Sequence, residues 1–114
     1  MKIIDKSREN ITTEEILGIV KNSASIRDYF DNTFRTIVDW IVLDMEDGKS
    51  RPAIYIRTDG PTVYTTSGVV IRRVQEYTDK ARKKNISLPL ARFYKGVSKS
   101  NGREFFGVYF ETQL

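Results

Sequence analysis

From Phe34 to Met45 the chain reads Phe-Arg-Thr-Ile-Val-Asp-Trp-Ile-Val-Leu-Asp-Met, a run of mostly β-branched and aromatic residues with apolar side chains at both odd and even positions. Side chains alternate between the two faces of a strand, so a strand written this way must be buried on both. A chain of 114 residues has room for one core rather than two. Both demands are met together when one long strand bends and serves both halves of a barrel. A mainly β domain organised around this strand is therefore the expected fold class.

The flanking segments supply the remaining elements. Ala53 to Thr58 and Thr62 to Thr66 alternate as strands and enclose Asp59-Gly60-Pro61, where Gly is expected to supply a positive φ and Pro presets its own. Ser67 can cap a helix running to Lys84, with Val70, Ile71, Val74, Tyr77 and Ala81 on one face and Arg82, Lys83 and Lys84 at the negative end of its dipole. Strands over 88–97 and 104–111 follow, joined by Ser98 to Arg103 with an Asn-Gly turn. The order is three strands, one helix, two strands, which is that of a five-stranded OB-fold barrel with its helix between the third and fourth strands. Ahead of it, Ile11-Thr12-Thr13-Glu14-Glu15-Ile16 reads as a capping box with a hydrophobic staple, predicting a short helix to Lys21. Ser25 to Phe30 predicts a second helical turn. The chain is thus expected to be a single domain, with residues 1–32 a helical extension packed on a barrel of residues 33–114.

Composition narrows the chemistry. Cys is absent, so neither a disulfide framework nor a zinc-thiolate site can be built. His is absent as well, which removes the commonest general base and metal ligand and lowers the expectation of catalysis. No apolar run is long enough to span a bilayer, and the opening Met1 to Lys6 lacks a secretory signal, so a cytoplasmic protein is expected. Residues 1–50 carry 7 Lys and Arg against 10 Asp and Glu, whereas residues 51–114 carry 12 against 5. A basic second half suggests a polyanionic partner.

Three segments carry a resemblance. Thr58-Asp59-Gly60-Pro61-Thr62-Val63-Tyr64-Thr65-Thr66-Ser67 and Lys99-Ser100-Asn101-Gly102-Arg103-Glu104-Phe105-Phe106-Gly107-Val108-Tyr109-Phe110 resemble the Asp-Gly hairpin and the closing hairpin of the single-stranded-DNA-binding proteins encoded by bacteriophages and related mobile replicons. The stretch from Ile16 to Thr33 is similar, less closely, to the helical lead-in of that family. The resemblance implies an OB-fold, single-stranded DNA as partner in phage or mobile-element replication inside a bacterial host, and neither cofactor nor membrane. It leaves room for a homodimer and for contacts with replication proteins. The acidic tail by which cellular bacterial homologues recruit partners is not seen after Thr112-Gln113-Leu114.

A non-specific single-strand binder needs cations for phosphates and aromatic rings for bases. If Ile54, Ile56 and Val63 face the barrel interior, Tyr55, Arg57 and Tyr64 point outward. Arg51, beside Lys49, borders the first loop, and Lys95, Lys99 and Arg103 flank the closing hairpin. Phe106, Val108 and Phe110 read as core. Phe105 and Tyr109 then share the opposite face, either as a binding surface or as a second apolar face under the N-terminal helix. In the fourth strand Leu90, Arg92 and Tyr94 alternate with Ala91, Phe93 and Lys95, and neither set is purely apolar, so Tyr94 and Lys95 are both candidates. Trp40 reads as core, and Arg82-Lys83-Lys84 as a solvated helix end.

Two other functional classes remain open. A metal-dependent nuclease would use Asp44, Glu46, Asp47 and Asp59, although three of these sit around a Gly-containing loop and the fourth in a turn where Asp serves local backbone bonds. A protein-binding adaptor or inhibitor would use Trp40 and exposed aromatics as anchors.

Overall fold

The computed structural model describes residues 1–88 and 90–112, which form a mainly β fold: a curled, open sheet with two helices. The long strand lies at its centre. This strand, β3 (Arg35–Asp44), is preceded by β1 (Lys2–Lys6), α1 (Thr13–Asn22) and β2 (Ser23–Ser25), and followed by β4 (Ala53–Thr58), β5 (Thr62–Thr65), α2 (Gly68–Lys83), β6 (Leu90–Val97) and β7 (Glu104–Phe110). The sheet order is β2-β5-β4-β3-β6-β7. One edge of β3 carries β4 over most of its length, and the other is shared between β6 at its start and β1 at its end. β5 and β7 do not pair among the described residues, so the sheet curls without closing.

Burial on both faces of β3 is real and has two separate causes. Ile37, Trp40 and Val42 enter a core shared with Ile54, Ile56, Val63, the inner face of α2, and Phe93, Val108 and Phe110. Ile41 and Leu43 enter a second cluster with Ala53, Tyr55 and the α1 residues Ile16 and Ile19. Ile37 and Trp40 can share a face although three residues apart because the register slips between Ile37 and Asp39, the signature of a bulge at Val38. Trp40 donates from Nε1 to Thr78 Oγ1 of α2 at 2.9 Å, so its polar atom is satisfied inside the core.

Both helices start as their sequences dictate. Thr12 Oγ1 accepts from Glu15 N at 3.2 Å, and Ile11 and Ile16 meet in the second cluster as a staple. Ser67 Oγ accepts from Val70 N at 3.3 Å, and α2 ends where Asn85 turns to φ +53°. The two predicted hairpins form: Tyr55 pairs with Tyr64 and Ile56 with Val63, and Lys95 with Phe106 across the turn that holds Gly102 at φ +70°.

Three expectations are corrected. Among the described residues the sheet has seven strands rather than five, because β1 and β2 come from the stretch read as wholly helical. β1 pairs antiparallel with β3 and β2 parallel with β5, and the predicted second helical turn follows β2 as two overlapping turns, Asp28 N to Ser25 O and Tyr29 N to Ile26 O. Gly60 has no positive φ; a Cβ there would lie 2.6 Å from the Arg35 guanidinium, so a larger residue would displace the end of that side chain. The strand expected from residue 88 starts at Leu90, and residues 89, 113 and 114 lie outside the described residues.

A buried carboxylate fixes α1 against the sheet. Asp39 is 2% exposed and receives Arg57 Nε at 2.6 Å, Arg57 Nη2 at 2.5 Å and Arg8 Nε at 2.8 Å. Arg8 and Arg57 both reach Glu15 on α1, so β3, β4, α1 and the segment after β1 meet in one ionic network. Burial opposes the charge on Asp39, but hydrogen bonds from Arg57 and then Arg8 outweigh it and hold its carboxyl below the ordinary value. A depressed folded-state value means that the stabilisation is complete above the unfolded-state value of about 3.9 and is lost as pH falls through the folded-state one. Asp39→Ala should cost about 3 kcal/mol in urea unfolding, the low end for a broken buried pair because both arginines remain partly in water. In Asp39→Asn the loss of stability below about pH 4 should be smaller than in the wild type.

Candidate nucleic-acid interface

Alternation along β6 and β7 divides their side chains cleanly. Ala91 and Phe93 of β6 and Val108 and Phe110 of β7 point into the core, where Phe110 stacks on Tyr77 with ring centroids 4.0 Å apart. Arg92 and Tyr94, with Phe105 and Tyr109, therefore point to the outer face. Register places Arg92 opposite Tyr109, Tyr94 opposite Gly107 and Gly96 opposite Phe105. The unclear fourth-strand register is thus resolved: Tyr94 belongs to the outer face and Lys95 to the other.

Glycine opposite each of two rings lets that ring lie against the sheet. A Cβ at Gly107 would be 2.8 Å from Tyr94 Cζ, and one at Gly96 would be 2.5 Å from Phe105 Cζ. Tyr94 and Phe105 meet edge to face at 6.0 Å. Next along the face, Phe34 just before β3 approaches Tyr109 at 6.1 Å, and the Arg92 guanidinium lies over both rings, 5.5 Å from the Phe34 centroid and 4.8 Å from that of Tyr109. Nε of Arg92 is buried without a hydrogen-bond partner among the described residues, so the rings rather than hydrogen bonds hold this cation in place. Phe34, Phe105 and Tyr109 remain 40%, 44% and 37% exposed. The result is a continuous surface of ring faces and edges with a cation set among them.

The face expected to bind is closed instead. Tyr55 does point away from the barrel interior, but α1 covers it and leaves it 6% exposed; burial, with Tyr64 beside it, pushes its hydroxyl pKa up. Tyr64 is half-buried against it at 5.5 Å. Arg57 is engaged by Asp39 and Glu15 and is not a free phosphate contact. Lys95 pairs with Glu104 at 3.1 Å and lies over Phe30. Lys99 and Arg103 are exposed on the hairpin loop, and Arg51 is exposed at the end of the loop before β4. Tyr94 and Tyr109 are thus the predicted residues brought together, with Phe105, which the sequence left open between a binding surface and a covered apolar face, beside them; Phe34 and Arg92 were not expected there. The signal that could have marked this face is the pair Gly96 and Gly107, spaced so that each faces an aromatic once the hairpin register is drawn.

The carboxylates considered for metal binding serve loops. Asp47 accepts from Ser50 N at 2.7 Å and Lys49 N at 2.9 Å, and also from Ser50 Oγ. Chiefly the Ser50 backbone bond holds its pKa down to about 2. Asp44 accepts from Glu46 N, and Glu46 pairs with the N-terminal amine. Among the described residues no group of three or more acidic side chains lies together as a cation site, and no helix is long and apolar enough to cross a membrane.

Comparison with protein-family models, with curated proteins and with solved structures gave no match. The ring-on-glycine packing has a direct spectroscopic consequence. The Hα resonances of Gly96 and Gly107 should be shifted upfield by the rings above them, and the shifts should vanish at Gly96 in Phe105→Ala and at Gly107 in Tyr94→Ala. Unshifted glycine resonances in the wild type would show that the rings stand away from the sheet.

Proposed function

We propose that this protein binds single-stranded DNA without catalysis and largely without sequence preference, stacking bases on the outer face of β6 and β7. The observation that carries this reading is the row of exposed Phe34, Tyr109 and Phe105 with half-buried Tyr94 among them and Arg92 set between rings. Unpaired bases have free π-faces, and exposed aromatic rings beside cations are what such a strand can use irrespective of its sequence. In this reading β3 to β7 with α2 correspond to the strands and helix of an OB-type barrel, and β1, α1 and β2 are an addition that covers its other outer face. A role in phage or mobile-element replication, in the cytoplasm of a bacterial host, follows from the resemblance of the two hairpins. A homodimer and contacts with replication proteins belong to the same reading.

The exposed Phe34 and Phe105 also suit a protein partner's anchor residues, and the binding experiment separates the two readings. Trp40 is buried and bonded to Thr78, so the fluorescent reporter belongs on the DNA. In anisotropy titrations with labelled oligo-dT, Phe105→Ala and Tyr109→Ala should each weaken binding by about 1–3 kcal/mol with nearly unchanged salt dependence. Tyr109→Phe should bind as the wild type does, and duplex DNA should bind more weakly. Full affinity in a folded Phe105→Ala/Tyr109→Ala double variant would refute the stacking assignment. Tyr55→Ala, by contrast, should act first on stability, because it opens a cavity under α1.

A further inference from the structure

Where the curled sheet fails to close, a polar groove of about 280 Å³ runs between the end of β5 and the start of β7. Its walls include Thr65, Thr66 and Ser67 on one side and Phe105 and Phe106 on the other, and two arginines enter it from different parts of the chain. Arg51 comes from the loop before β4. Arg27 comes from the turn after β2, within the acidic first half of the chain, and its guanidinium lies 5.7 Å over the Phe106 ring. Neither arginine has a carboxylate partner among the described residues, and the groove's own acidic residue, Glu104, is neutralised by Lys95. The groove therefore carries two uncompensated positive charges. Phe105 belongs both to this groove and to the outer aromatic face, so the two surfaces are continuous around one side chain.

We infer that this seam is a phosphodiester-binding subsite: a single strand stacked on the outer face turns at Phe105 and lays its backbone in the groove, where Arg27 and Arg51 hold phosphate oxygens. The inference rests on the single-strand reading above and assigns to the backbone a site separate from that of the bases. Guanidinium groups suit the role, because their planar fork matches the oxygens of a phosphate. The opposite wall offers threonine hydroxyls, which can donate to the same anion. A groove open to solvent and lined by polar groups fits a sugar-phosphate chain better than a base, which gains most from the exposed rings next door.

The test compares two charge-matched double variants, Arg27→Gln/Arg51→Gln and Lys83→Gln/Lys84→Gln, each confirmed as folded by circular dichroism, in binding to a labelled oligo-dT of roughly 16 nucleotides over a salt series. All four residues are exposed, so their loss should not unfold the chain. The groove variant should lower the slope of log K against log salt by about 1.4, at ~0.7 per phosphate contact on single strands, while the helix-end variant leaves it unchanged. Equal slope changes in both variants would reduce the effect to net charge, and no change in the groove variant would remove the subsite; either result overturns the inference while oligo-dT binding itself stands. A wild-type protein that fails to bind oligo-dT overturns the stacking reading and the subsite with it.

Discussion

Asp39 sits on the outer face of β3 at a position where an apolar residue would have packed without cost. Placing a carboxylate there is tolerable because Arg57 grips both of its oxygens from the neighbouring strand and Arg8 reaches one of them from the segment after β1. The two arginines in turn engage Glu15, so the first turn of α1 is tied to the sheet by charge as well as by Ile16 and Ile19. The bulge at Val38 makes this arrangement possible. It lets Asp39 leave the barrel interior while Ile37 and Trp40 on either side of it both remain inside. Everything about the accessible surface follows: the face of β4 and β5 is closed, and that of β6 and β7 is left open.

The open face is built differently from the closed one. Tyr55 and Tyr64 are half of a packed layer, with α1 supplying the other half. Tyr94 and Phe105 instead use backbone as their second layer, since Gly107 and Gly96 offer no side chain to hold the rings off the sheet. Glycine in a strand normally weakens it, and here the loss is offset by ring area laid on the bare backbone. Such a surface presents both ring faces and ring edges without being buried, and it stays available for a partner. Arg92 contributes a positive charge with little freedom, because two rings flank its guanidinium.

Much of the local structure was legible in the residues themselves. Thr12 with Glu15 and Ser67 before Val70 announced both helix starts, and Asn-Gly at 101–102 announced the closing turn, because each is a hydrogen bond or a φ value settled within a few residues. β1 and β2 were not legible. Both are short, and each becomes a strand only by pairing with a partner far along the chain, β1 with β3 and β2 with β5. Gly60 was read for its backbone freedom, but it has no positive φ, and its close neighbour is the Arg35 guanidinium, a contact between residues far apart in the chain that no local pattern encodes.

For the candidate site the division is sharper. Alternation in the sequence determined that Tyr55 and Arg57 oppose Ile54 and Ile56, and that Phe105 and Tyr109 oppose Val108 and Phe110, since successive side chains on a strand cannot share a face. It did not determine what lies over either outer face. That was decided by where α1 docks and by which arginines find Asp39, interactions between residues 18 to 42 positions apart that depend on the curl of the whole sheet. The parity of a strand is a property of its backbone, whereas the covering of a face is a property of the fold.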